Sequence, residues 1–162
     1  MVSSTVIPNV GGGISKASDK AEDKADRVQR MFSSISGRYD VLNTLLSLNR
    51  DEYWREFTSS CTELPSGGLA LDVATGTGKL ACQLARDNQV EVVGVDFCED
   101  MLAEGKQRTS GAGVRLAVAD AESLPFLDNV FDCATIGFTL RNVTDIDRTL
   151  SEMTRVVKVG GE

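Results

Sequence analysis

Asp72, Asp96 and Asp120 each stand in or at the end of an apolar run, and Gly76-Thr77-Gly78 follows the first of them. The run Leu69, Ala70, Leu71, Val73, Ala74 is nearly continuous, as expected of a strand covered on both faces. Asp72 interrupts it. A carboxylate there is costly unless it is hydrogen-bonded or meets a cation. A strand, a glycine turn and a helix start are what bring backbone N–H groups close to a nucleotide. Asp96 ends a second apolar run and is placed to accept both hydroxyls of a ribose. That arrangement suits NAD and S-adenosylmethionine equally. Two features separate them. The dinucleotide fingerprint wants a third glycine where Leu80 stands, and Asp120-Ala121 ends a third run, placed to take an adenine amino group. The plainer reading of Asp120 is a turn or helix cap.

The elements that must position these groups follow from periodicity. Strands are expected at Leu69–Ala74, Val90–Val95, Val114–Ala119 and Val130–Ile136, with helices over Lys79–Arg86, Glu99–Arg108 and Thr144–Lys158 between and after them. Thr144 reads as the N-cap of the last helix, and Gly160-Gly161 ends it. Strands alternating with helices predict a parallel sheet with helices on both faces. Upstream, Val28, Met31, Phe32 and Ile35 recur at helical spacing, Tyr39–Leu46 makes a short helical stretch, and Asp51–Thr62 a third helix with Trp54 and Phe57 on one face. These form an N-terminal helical layer packed on the sheet. Met1 to about Lys20, with three consecutive glycines and scattered serines, reads as a disordered leader. The division is therefore 1–20 leader and 21–162 one domain, with N-terminal helices over 21–64 and the sheet core over 68–162.

Composition narrows the function class. The 162 residues suffice for one real core. A net charge of −7 argues against a nucleic-acid phosphate partner. Cys61, Cys82, Cys98 and Cys133 are widely spaced, there is no histidine, and a zinc site is disfavoured. The cysteines read as small core residues in a reduced, cytoplasmic setting. No apolar run of about 18 residues or signal-peptide pattern occurs.

The chain resembles the class I S-adenosylmethionine-dependent methyltransferases, and within them the ubiquinone/menaquinone biosynthesis C-methyltransferases. Three segments carry it: Tyr39-Asp40-Val41-Leu42-Asn43 continuing to Ser47 and Trp54, Phe138–Asp145, and Arg155–Gly161. The resemblance implies a Rossmann-like sheet, ordered 3-2-1-4 over these four strands, with the C-terminal strands of the fold missing from this chain. It implies that Gly76, Thr77 and Gly78 wrap the methionine part of S-adenosyl-L-methionine, and that Asp72 meets its ammonium. Asp96 would hold the ribose, Asp120-Ala121 the adenine, and the backbone at Gly137 would close the site. Tyr39, Asn43, Arg141 and Asn142 would face a lipid-tailed quinol ring, with Arg141, Asn142 and Tyr39 as catalytic candidates. The bland reading of Arg141 is a surface ion pair with Asp145. Two positions depart from the pattern: Asp51 stands where histidine is usual, and Ala74 replaces the first loop glycine.

Other readings share the cofactor half. They are methylation of a sterol, a phospholipid amine or an arsenical; a non-catalytic cofactor-binding subunit of a quinone-synthesis complex; and an NAD-linked oxidoreductase. A lipid tail on the substrate makes a transient, peripheral membrane contact plausible. The fourth strand, left as an apolar edge if the chain is a fragment, would invite pairing with a second copy.

Overall fold

The computed structural model describes residues 27–38, 40, 45, 47 and 50–162. The leader and the positions Tyr39, Val41–Thr44 and Leu46 lie outside the described residues. Among those described, the apolar runs supply the strands and the amphipathic stretches the helices. A helix over 27–38 (α1) precedes α2 (Arg50–Cys61). There follow β1 (Leu69–Val73), α3 (Lys79–Asn88), β2 (Glu91–Asp96), α4 (Glu99–Thr109), β3 (Val114–Val118), β4 (Cys133–Ile136) and α5 (Ile146–Val156). The strands form one sheet in the order β3-β2-β1-β4, with every neighbouring pair parallel.

Side chains alternate across β1 with period two. Ala70 packs into a cluster with Leu80, Ala81, Leu84 and Ala85 of α3. Leu71 and Val73 pack on the other face with Met153 and Val156 of α5, beside Val95, Leu124 and Phe131. Asp72 shares the face of Ala70 and is only 1% exposed. Arg155 of α5 fastens the β3–β4 connection, donating to the carbonyls of Phe126 at 2.8 Å and Leu124 at 3.0 Å.

Four expectations are corrected. Of the run Val130–Ile136 only Cys133–Ile136 joins the sheet. Phe131 instead bridges Val157, because the N–H groups of Val130 and Phe131 both donate to the Val156 carbonyl, at 2.8 and 3.0 Å. The N-cap of α5 is Asp145 rather than Thr144, its carboxylate accepting from the Arg148 N–H at 3.0 Å. The aromatic face of α2 does not pack on the sheet: Tyr53, Trp54 and Phe57 are all exposed. The inward face of α2 is polar instead, and the Asn88 side chain of α3 donates to the Ser59 carbonyl at 3.4 Å. Finally, the cysteines are not all core residues: Cys98 and Cys133 are buried, Cys82 is half-buried and Cys61 is exposed. The outer edge of β4 is also partly occupied. Ala134 N–H donates to the Glu162 carbonyl at 2.8 Å, and Glu162 N–H to the Asp132 carbonyl at 3.2 Å.

One glycine in α4 makes the site possible. A Cβ at Gly105 would lie 2.7 Å from the carbonyl oxygen of Thr77, so α4 touches the glycine loop backbone directly. In an ordinary exposed helix, Gly→Ala stabilises by about 1 kcal/mol. Gly105→Ala is expected to do the reverse, lowering stability by about 1–3 kcal/mol through overpacking. Urea unfolding reads the sign, and a stabilised variant would contradict the contact.

Candidate functional site

A crevice opens beyond the C-terminal ends of the strands, where a sheet of this topology binds ligands. Ala74 and Thr139 line every part of it. Its roomiest part, about 320 Å³, is bounded by Val28, Phe97, Asp120, Ala121, Asn142 and Val143 among others. A narrower arm reaches Asp72, Gly76, Thr77 and Gly137. A third part touches Phe32, Asp96 and Met101. Helix α1 thus supplies Val28 and Phe32 to the crevice wall.

The glycine loop is held in an unusual backbone path. Gly76 and Gly78 have φ of 57° and 75°, and Ala74, which lacks glycine's freedom, has φ of 53°. A left-handed alanine is uncommon. It is held by bonds from the two residues that follow it: Thr75 N–H donates to the Val95 carbonyl at 2.9 Å, and Gly76 N–H to Asp96 Oδ2 at 2.8 Å.

Asp72 lies at the base of the narrow arm. Thr75 Oγ1 donates to its Oδ2 at 2.6 Å, and Thr135 Oγ1 to its Oδ1 at 2.8 Å. No cation pairs with it among the described residues. Burial pushes its pKa up to about 6, against the two hydroxyl bonds that favour the charged form; the nearby Asp96 adds to the rise. This is a carboxylate prepared for a positive or donating group.

Asp96 terminates β2 and is 7% exposed. Besides Gly76 N–H it accepts Cys98 N–H at 2.9 Å on Oδ1. Burial raises its pKa, and the backbone N–H bonds work in the opposite direction. Each carboxylate oxygen keeps a further lone pair, so two hydroxyls can still be accepted. Asp120 is exposed at the crevice rim, and its Oδ1 accepts Glu122 N–H at 2.9 Å. Asp120 thus accepts a turn N–H and also borders the crevice.

The expected substrate groups separate. Asn142 lines the crevice. Arg141 is exposed, does not line it, and among the described residues makes no hydrogen bond or ion pair. The pairing with Asp145 does not form, because Asp145 is committed to capping α5. Tyr39 and Asn43 lie outside the described residues. Gly137 lines the narrow arm, and a Cβ there would meet Leu80 at 3.3 Å. Asp51, the departure from the family pattern, is not a free base. It is 3% exposed, receives Arg55 Nη2 at 2.8 Å and Ser47 Oγ at 3.0 Å. Burial acts to raise its pKa, but the Arg55 and Ser47 bonds outweigh it and hold the group below the ordinary value.

Sequence reasoning missed Thr75 and Thr135, which hold Asp72, and Phe97, Thr139 and Asp40, which line the crevice. Thr75 could have been found as a hydroxyl three residues past a buried acid. Thr135 sits 63 positions away with no local signal. An aromatic lip was also missed: Phe138, with φ of 61°, lies 5.8 Å centroid to centroid from Trp54.

Known proteins share this architecture. Residues 20–162 match the model of the ubiE/COQ5 methyltransferase family. The chain is 46% identical over 145 residues to a ubiquinone/menaquinone biosynthesis C-methyltransferase of Geobacter sulfurreducens, covering 86% of this chain and 57% of that one. It is 48% identical over 143 residues to a demethylmenaquinone methyltransferase of Thermobifida fusca, covering 86% and 60%. The chain thus spans less than two thirds of the length of these relatives. Among solved structures, a SAM-dependent methyltransferase from Aquifex aeolicus superposes with a TM-score of 0.60 at 24% identity, over 78% of this chain and 67% of that one. That likeness speaks for the Rossmann-like fold.

Proposed function

The chain belongs to the ubiE/COQ5 methyltransferase family, and from that premise we propose that its crevice binds S-adenosyl-L-methionine for C-methylation of a polyprenylated quinol. The observation that carries the cofactor reading is Asp72. A buried carboxylate with two hydroxyl donors and, among the described residues, no cation fits the α-ammonium of a methionine chain. The rest of the donor set agrees. The left-handed glycine loop borders the narrow arm of the crevice, Asp96 has lone pairs for a ribose, and Asp120-Ala121 borders its roomiest part.

When bound, S-adenosylmethionine supplies a methyl group activated by a sulfonium. The work of the chain's own residues is alignment and proton handling. Holding the two reactants in line supplies much of the acceleration. Asn142 borders the crevice; Arg141, its exposed neighbour in sequence, has to turn inward when substrate binds for its guanidinium to stabilise a phenolate forming on the ring. Water held by Arg141 and Asn142 takes the phenol proton, since the chain contains no histidine. Tyr39 and Asn43 complete the quinol site in this reading. The exposed Trp54–Phe138 lip suits an apolar, lipid-tailed substrate. Among the described residues no helix is long and apolar enough to cross a membrane. Demethylmenaquinol and a 2-polyprenyl-6-methoxy-benzoquinol are the two substrates to test, and the name of the Thermobifida relative favours trying demethylmenaquinol first.

Incubation with S-adenosylmethionine and demethylmenaquinol, followed by mass detection of the methylated product, tests the reading. Arg141→Ala is expected to bind S-adenosylhomocysteine within about threefold of the parent and to lose turnover by roughly 100-fold, the loss of one strong charge-assisted contact. Undiminished turnover would remove Arg141 from the chemistry. Binding of S-adenosylhomocysteine with no methylation of any quinol would instead indicate a non-catalytic cofactor-binding subunit.

A further inference from the structure

The segment preceding α2 runs alongside α4 and ends in a carboxylate that grips the glycine loop. Ser33 Oγ lies 3.6 Å from Cys98 Sγ at the start of α4. A Cβ at Gly37 would meet the Glu104 side chain at 3.6 Å. Asp40 then reaches the last turn of α4, where Arg108 Nη2 donates to its Oδ2 at 2.7 Å. The other oxygen of Asp40 accepts Thr77 Oγ1 at 2.9 Å and lies 3.6 Å from Lys79 Nζ. The circuit closes through the same guanidinium, since Arg108 Nη1 donates to the Thr77 carbonyl at 2.8 Å.

Three elements distant in sequence therefore meet at one carboxylate. Thr77 is 4% exposed, so its hydroxyl and carbonyl need partners within the protein. Asp40 satisfies the hydroxyl directly and orients the guanidinium that satisfies the carbonyl. Gly105 allows this by letting the Thr77 backbone rest on α4. The same segment that presents Asp40 also presents Val28 and Phe32 to the crevice. Anchoring of the cover and shaping of the loop are thus one event.

We propose that Asp40 is a positioning residue: it couples closure of the N-terminal segment to the glycine-loop conformation that accepts the cofactor. It acts through Thr77 and Arg108, because both carboxylate oxygens are already engaged by them. The proposal rests on the cofactor reading for its ligand, but the clamp itself exists without ligand. Asp40→Asn keeps an acceptor for Thr77 and turns an amide N–H₂ toward Arg108, so the coupling fails while the side-chain volume is kept. Asp40→Glu retains the charge.

The test combines calorimetric titration with S-adenosylhomocysteine and tryptic cleavage at Arg27, Arg30 and Arg38 in α1. For the parent chain, the titration gives a binding constant, and saturating ligand slows cleavage in α1. Asp40→Asn is expected to weaken binding about tenfold, the loss of one charge-assisted contact, and to abolish that protection even at saturation. Asp40→Glu is expected to restore most of both. In the absence of ligand, Asp40→Asn is expected to speed α1 cleavage several-fold while the urea midpoint of the sheet, followed by far-ultraviolet circular dichroism, changes little. Parental affinity and parental protection in Asp40→Asn would overturn the proposal. So would a fall in the urea midpoint that accounts for all of the added cleavage, because Asp40 would then be a general stabilising residue. If the parent itself fails to bind S-adenosylhomocysteine, the cofactor reading fails, and the ligand-free cleavage comparison still decides whether Asp40 clamps the segment.

Discussion

Asp72→Asn is expected to make the unliganded chain more stable at pH 7.5 and at the same time to cripple cofactor binding. The parent pKa of about 6 stands well above the ordinary 3.8. A carboxylate raised in this way contributes stability that is fully present below pH 3.8 and is lost as pH rises through 6. The shift corresponds to on the order of 3 kcal/mol at neutral pH, an amount the neutral amide does not lose. Asn also keeps hydrogen-bonding atoms for Thr75 and Thr135, whose hydroxyls can rotate to serve either role. Urea unfolding between pH 4 and 7.5 reads the effect. The parent should weaken across pH 4–6, and the variant should show no such loss. Binding moves the other way. An ammonium needs the ionised carboxylate, so parental affinity should fall about tenfold per pH unit below 6, and the variant should bind S-adenosylhomocysteine roughly 10- to 100-fold more weakly at pH 7.5. A variant less stable than the parent at pH 7.5 would mean that Asp72 is a structural acid with a partner of its own.

Asp96→Ala should have the largest effect on the site as a whole. Its carboxylate does two jobs at once. It ties Gly76 N–H of the loop at 2.8 Å and Cys98 N–H of the turn into α4 at 2.9 Å, and it ends β2 where a ribose would lie. Removing it orphans two backbone donors, at about 1–3 kcal/mol for each that stays dry, and takes away the hydroxyl acceptors. Affinity for S-adenosylhomocysteine is expected to fall at least about 100-fold, with unfolding free energy down by about 2–4 kcal/mol. Asp96→Asn separates the jobs, since it retains one oxygen for a backbone N–H and loses the charge. It should recover much of the stability and little of the affinity. Unchanged affinity in the alanine variant would remove Asp96 from the cofactor site.

The strands and the loop were legible because they rest on local patterns. Short apolar runs, and acids at their C-terminal ends, are visible within a window of ten residues, and the parallel order β3-β2-β1-β4 agrees with what the resemblance implied. The aromatic face of α2 misled for a physical reason. Its spacing is that of a buried stripe, yet α2 meets α3 through Ser59 and Asn88, and the aromatics turn outward. The start of β4 misled similarly: Val130 and Phe131 are apolar enough for a strand, but the end of α5 captures their N–H groups first. What lay beyond reach were the partnerships across sequence. Thr135 with Asp72, and Asp40 with Thr77 and Arg108, join residues 63, 37 and 68 positions apart. Nothing local announces such pairs.

The central claim is that this crevice is built for an S-adenosyl group and not for a dinucleotide. Calorimetric titration of the chain at pH 7.5 with S-adenosylhomocysteine, and in parallel with NADH, tests it most directly. The account predicts saturable heat for S-adenosylhomocysteine at one site per chain, its loss in Asp96→Ala, and no heat for NADH. Saturable binding of NADH with none of S-adenosylhomocysteine would contradict it.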